Sequence, residues 1–104
     1  MSKYNATPTR VDGLRFASKR EAKRYNELKL MERGGEIVAL EIQPKFPLIV
    51  NKQKLGNYFG DFQYRDTATG DLIVEDVKGV RTPVFRLKAK LVRALYGVEI
   101  VEVR

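Results

Sequence analysis

Residues 58–78 constrain the chain most. Two strand-like runs, 58–65 and 72–78, flank the turn-rich Asp66-Thr67-Ala68-Thr69-Gly70-Asp71 and predict an antiparallel hairpin. If Asp66 pairs with Asp71 around the turn, partners across the hairpin have numbers that sum to a constant. Asp61 then falls directly opposite Asp76. Alternation along the second run sends Leu72, Val74, Asp76 and Lys78 to one face and Ile73, Glu75 and Val77 to the other. A row that opens with Leu and Val should continue apolar. It ends instead in an acid and a base, which costs free energy unless something neutralises them. Directly opposed side chains have Cβ atoms about 4.5–5.5 Å apart, and two carboxylates at that spacing repel. A hard divalent ion between them can take an oxygen from each.

The rest of the chain supplies a scaffold for this hairpin. Ser18-Lys19-Arg20-Glu21 has the form of a capping box, and Ala22, Tyr25, Leu28 and Met31 repeat on one helical face until Gly34-Gly35. Residues 37–42 and 46–50 read as extended runs separated by Pro44, and residues 51–57 as a polar loop. Thr82-Pro83 suits a second helix start, and Tyr96-Gly97 its end. Residues 98–103 close the chain as a strand with Val98, Ile100 and Glu102 on one side. A strand reached through a crossover helix runs parallel to the strand before that helix, so the sheet should be mixed. The expected fold is therefore α/β, in the order helix, strands, helix, strand. Residues 1–15 read as a mobile basic arm with a short extended piece at Leu14–Phe16, and residues 16–104 as one domain.

Composition narrows the chemistry. The 104 residues contain neither cysteine nor histidine, which removes disulfides, thiolate zinc sites and the usual general base together. Hydrolysis here must rest on carboxylates, lysine and an oxygen-bound cation. A net charge of +7 points to a polyanionic partner, most simply nucleic acid. No apolar run has the length of a membrane span and no signal peptide is visible, so the reading is of a soluble, cytoplasmic protein.

Phosphodiester hydrolysis gives these residue types a purpose. A carboxylate-bound divalent ion supplies Lewis acidity and activates water. Lys78, on the same face as Asp76, can orient the attacking water or neutralise the scissile phosphate. The Val77 carbonyl is a further candidate ligand. Each residue also has an ordinary reading. Asp61 can be a strand-edge acid, Asp76 an acid before a turn, Glu21 a capping glutamate and Lys78 a surface lysine. The conjunction of a helical glutamate, an acid and an acid-x-lysine across a hairpin favours the site.

Phe16-Ala17-Ser18-Lys19-Arg20-Glu21-Ala22, Gln43-Pro44-Lys45-Phe46, Gly60-Asp61-Phe62 and Val74-Glu75-Asp76-Val77-Lys78-Gly79 resemble a family of small phage and prophage proteins in the PD-(D/E)XK nuclease superfamily. The layout is also similar to that of archaeal-type Holliday junction resolvases. The resemblance implies a restriction-endonuclease-like core with a mixed sheet flanked by helices. It matches Glu21 to the helical acid, Asp61 to the first strand acid, Asp76 to the second-motif acid and Lys78 to its lysine. Mg²⁺, with Mn²⁺ as a substitute, is the implied cofactor, held by Glu21, Asp61, Asp76 and Val77. Gly60 stands where the signature has proline. Glu75 is a competing acid of opposite parity, and Gln43 is either a supporting polar residue or simply the residue before a proline turn.

Cations flank the proposed centre in sequence. Lys19, Arg20, Lys23 and Arg24 crowd the first helix beside Glu21, and Arg81, Arg86, Lys88 and Lys90 follow the acid-x-lysine. Such runs are often only a solvated face; beside a metal site they suit phosphate contact, which positions a substrate without reading its bases. The expected protein is a phage-encoded, Mg²⁺-dependent, structure-selective endonuclease of a bacterial host, a homodimeric junction resolvase acting on branched DNA. The alternatives are an exonuclease or nickase of the same superfamily, a non-catalytic basic nucleic-acid-binding protein, or a subunit that cuts only with a partner.

Overall fold

The computed structural model describes residues 8–77 and 82–103. It shows an α/β architecture built on a four-stranded mixed sheet with two helices. In chain order the elements are β1 (Thr9–Val11), β2 (Leu14–Phe16), α1 (Lys19–Arg33), β3 (Ile37–Ile42), β4 (Lys45–Val50), β5 (Gln53–Phe59), β6 (Phe62–Asp66), β7 (Leu72–Val77), α2 (Pro83–Tyr96) and β8 (Glu99–Val103). The sheet order is β3-β6-β7-β8. The β6–β7 and β3–β6 pairs are antiparallel, and β8 lies parallel to β7, as a return through α2 requires.

Both helices start and stop where their caps dictate. The Ser18 side chain accepts the Glu21 N–H at 3.1 Å, and Gly34 terminates α1. The Thr82 side chain accepts the Phe85 N–H at 3.1 Å, Pro83 opens α2, and Gly97 closes it in the left-handed region. Ala22, Tyr25 and Leu28 of α1 pack with Phe62, Tyr64 and Val77 on one face of the sheet. Ala89 and Val92 of α2 pack with Val74, Val98 and Ile100 on the other. The sheet is thus covered on both sides. Among the described residues no helix is long and apolar enough to cross a membrane.

Strands β3–β4 and β5–β6 form one long bent ribbon. Ile42 pairs with Phe62 and Lys45 with Phe59 in a single continuous register. At the bend, the Gln43 N–H donates to the Asp61 carbonyl (2.9 Å) and the Gly60 N–H to the Pro44 carbonyl (3.1 Å). The outer half, β4–β5, folds over so that Phe46, Leu48 and Tyr58 join the α2-side core. The bend requires glycine at position 60. A Cβ there would stand 2.6 Å from Val74 Cγ1 and 3.2 Å from Pro44 Cγ. The signature's proline would meet the same crowding and would lose the N–H bonded to Pro44.

Three expectations about the chain needed correction. Residues 51–57 are not a loop: Asn51-Lys52, both at positive φ, form a two-residue turn between β4 and β5. The run 58–65 is interrupted at Gly60-Asp61, where the ribbon bends. The segment read as a mobile arm contains, from Thr9, an ordered hairpin turning at Asp12-Gly13. Phe16 is buried against Tyr25 there (ring centroids 5.1 Å), and Tyr25 OH donates to Asp12 at 3.1 Å.

Candidate active site

Asp61 and Asp76 meet at the ribbon's bend. The β6–β7 register runs from Arg65↔Leu72 to Phe62↔Glu75, and its next step sets Asp61 opposite Asp76. The Asp61 N–H donates to the Glu75 carbonyl at 2.9 Å. Its Oδ2 accepts the Val77 N–H at 2.6 Å, so the carboxylate of Asp61 is drawn to the end of β7 beside Asp76. This contact also gives Asp61 a structural task, because β6 has no further residue to satisfy that N–H. Asp61 Oδ1 makes no hydrogen bond among the described residues.

Asp76 is 0% exposed, and both its carboxylate oxygens are closed to solvent. It continues the Val74 row toward α2, as strand parity requires. On its other side lies Glu102 of β8, its parallel-register partner. Asp61, Asp76 and Glu102 therefore occupy successive strand positions across the sheet. Like charges at such positions repel unless neutralised. Glu102 was legible only as a parity neighbour of Ile100; its alignment with Asp76 depends on a parallel register that no local residue encodes.

Glu75, the neighbouring acid, faces the opposite side. It is 1% exposed and receives Arg24 at two points, Nε to Oε1 and Nη2 to Oε2, both 2.7 Å. Tyr64 OH donates to the same Oε2. The arginine pair holds Arg24 firmly protonated, its pKa raised chiefly by the Glu75 hydrogen bond. Arg24 also contacts Glu27 at 3.0 Å. It ties α1 to β7 and is not available for the phosphate contact expected of it. The sequence signal was parity alone, which placed Glu75 away from Asp76 without showing its partner.

The other expected residues fall in several places. Glu21 is half-buried in the first turn of α1, the helix that covers the Glu75 face. Lys19, Arg20 and Lys23 are exposed in the same turns. The Val77 side chain is buried under α1. Gln43 is exposed at positive φ and reaches Asp61 through its backbone N–H. Arg86 and Lys90 line a groove of about 100 Å³ on α2 together with Arg93 and Glu102. Lys88 points elsewhere, its Nζ donating to the Asn57 carbonyl at 3.1 Å. Lys78 and Arg81 lie outside the described residues.

The donor chemistry fits a small hard cation. Asp61 and Asp76 offer carboxylate oxygens from adjacent strands, set opposite each other by the β6–β7 register. Magnesium is commonly held by one or two carboxylates with water completing the shell. Among the described residues, no three acidic side chains come together at metal-binding separation. Of the expected ligands, the strand register brings Asp61 and Asp76 together, and these two would hold the ion.

The fold and this centre define an α/β domain with a mixed sheet carrying a buried acid across from a second acid at a strand bend. The chain belongs to the family described as a protein of unknown function, DUF1064, whose model matches residues 1–102. No curated protein and no solved structure matches it.

Proposed function

We propose that the protein is a metal-dependent nuclease of the PD-(D/E)XK type, with a restriction-endonuclease-like core, that hydrolyses phosphodiester bonds in branched DNA. The observation that carries this reading is the register that sets Asp61 opposite the fully buried Asp76. The helix–strands–helix–strand order and the net charge of +7 support it.

Asp61 and Asp76 would hold Mg²⁺, or Mn²⁺ in its place. The bound ion supplies Lewis acidity at the phosphoryl oxygen and lowers the pKa of bound water. Asp76, enclosed by the sheet and α2, contributes its charge where solvent screening is weak. Asp61 is oriented by the Val77 N–H, which fixes one carboxylate oxygen and leaves the other for the ion. Lys78, two positions beyond Asp76 in sequence, would neutralise the scissile phosphate or orient the attacking water. Arg86, Lys90 and Arg93 recur at steps of four and three along α2 and share a groove with Glu102, the strand neighbour of Asp76. That stripe suits a phosphate backbone passing the centre.

A four-way junction needs two symmetric cuts, and one chain offers one centre, so the active species is a homodimer. Val84, Leu87 and Leu95 are exposed on α2 with half-buried Leu91 between them, an apolar stripe suited to a second copy. A non-catalytic DNA-binding protein is the second reading, favoured by the bond that occupies Asp61 Oδ2 and by the lack of a three-acid group among the described residues.

The test is a panel of four-way, forked, flapped and linear DNA with Mg²⁺, wild type beside Lys78→Ala. Nicks confined to branched substrates, abolished by EDTA and by the substitution, support a junction endonuclease. Digestion from linear ends redirects the reading to an exonuclease. Salt-sensitive binding with no turnover in Mg²⁺ or Mn²⁺ supports the binding protein.

A further inference from the structure

Between the end of β5 and the first turns of α2 lies an open pocket of about 270 Å³, bounded by Asn57, Tyr58, Phe59, Thr82, Phe85 and Lys88. Its aromatic character is unusual for a surface site. Phe59 is 57% exposed, and half-buried Phe85 packs on Tyr58 with ring centroids 6.3 Å apart. Two buried polar atoms of its lining residues have no hydrogen-bond partner among the described residues: Tyr58 OH, on a side chain 3% exposed, and Asn57 Oδ1. Burying such groups unpaired costs free energy that a complementary ligand recovers. Lys88 Nζ, bonded to the Asn57 carbonyl at 3.1 Å, retains further donors.

We propose that this pocket receives one unstacked nucleobase of the substrate strand. The inference rests on the nucleic-acid reading above and adds a base contact to it. The base ring lies against Phe59 and Phe85, because any base offers a π face to an aromatic side chain. Its polar edge reaches Tyr58 OH and gives an amine or ring N–H to Asn57 Oδ1, each oxygen being uncovered by a small shift of the wall. The Lys88 ammonium meets the adjoining phosphate. Phe59 stands two residues before Asp61, so a strand whose phosphate reaches the two aspartates passes the pocket. A neutral aromatic peptide would also suit the rings, but a chain of charge +7 favours the polyanion. Branch points and single strands supply unstacked bases at little cost, which ties the pocket to branched DNA.

The experiment measures fluorescence anisotropy of a labelled twelve-nucleotide single strand, and of the same strand with abasic sites replacing its bases, in Ca²⁺ so that no cleavage intervenes. Wild type should bind the normal strand about tenfold more tightly than the abasic one. Phe59→Ala should reduce normal-strand binding to the abasic level and leave abasic binding unchanged. Tyr58→Phe should weaken normal-strand binding about threefold to tenfold while its melting temperature stays equal or rises, since no intramolecular bond is lost. Equal binding of the two strands by wild type, or unaltered binding by both variants, overturns the pocket while leaving the DNA partner in place. Failure of wild type to bind either strand overturns the nucleic-acid reading and the pocket with it.

Discussion

Arg24 and Glu75 form a two-point contact through the face of the sheet covered by α1. Nε and Nη2 of the guanidinium each reach a different carboxylate oxygen at 2.7 Å, and Glu75 is 1% exposed. The pair joins the helix carrying Glu21 to the strand carrying Asp76. Its planar, bidentate form is one that lysine cannot reproduce.

Removing one partner leaves a buried charge uncompensated. Arg24→Ala should destabilise the fold by about 3 kcal/mol, the low end of the range for broken buried pairs because Arg24 is partly exposed. Arg24→Lys should recover only part of the loss. Urea unfolding followed by circular dichroism measures both. Replacing the trio together, as Arg24→Met with Glu75→Leu and Tyr64→Phe, should bring stability back toward wild type, since no buried polar group is then orphaned.

Alkaline stability follows from two tyrosines. Tyr64 has its pKa raised above the ordinary value near 10 by burial, then by its bond to Glu75. Tyr25 is raised by burial, then by its bond to Asp12. Both groups stay protonated in the folded chain after the unfolded chain has begun to ionise. The stability they confer is complete below about pH 10 and is lost as pH rises beyond it. Melting temperatures from pH 8 to 11.5 should decline above pH 10, and the decline should be shallower in Tyr64→Phe.

A side chain at position 60 should destabilise the bend. Gly60→Ala drives a Cβ to within 2.6 Å of Val74 Cγ1 and should cost about 1–3 kcal/mol. Val74→Ala removes the obstructing methyl, so the double variant should be more stable than the two single losses predict. A double-mutant cycle by chemical denaturation measures that coupling.

Much of this arrangement was legible locally. The turn at Asp66–Asp71 predicted the register that sets Asp61 against Asp76, and the caps at Ser18, Thr82 and Gly97 marked the helix ends because each cap is a local hydrogen-bonding pattern. The Asn51-Lys52 turn was missed because its lysine at positive φ lacks the usual glycine, and polar residues after it resemble a loop. The Asp12-Gly13 hairpin carried a readable turn signal, outweighed by the basic composition around it. Glu75's attachment to Arg24 and Glu102's alignment with Asp76 depend on tertiary packing, which neither strand parity nor helical spacing encodes.

The stripe on α2 predicts separable roles for its cations. Arg86→Ala with Lys90→Ala and Arg93→Ala should weaken DNA binding and reduce the slope of log affinity against log salt by roughly one unit for each phosphate contact removed. Lys88→Ala, which removes only the single phosphate contact proposed beside the β5–α2 pocket, should lower that slope by about one unit. Salt titrations of binding to a four-way junction distinguish the two sets.

The central claim is that Asp76 and Asp61 together hold the ion used for cleavage. It is tested most directly by single-turnover cutting of a labelled four-way junction in Mg²⁺, comparing wild type with Asp76→Asn, which keeps the shape of the buried side chain and removes its charge. The account predicts Mg²⁺-dependent nicks from wild type and a rate lower by on the order of 10²–10³ in the variant, with junction binding retained. Equal rates from both proteins would contradict it.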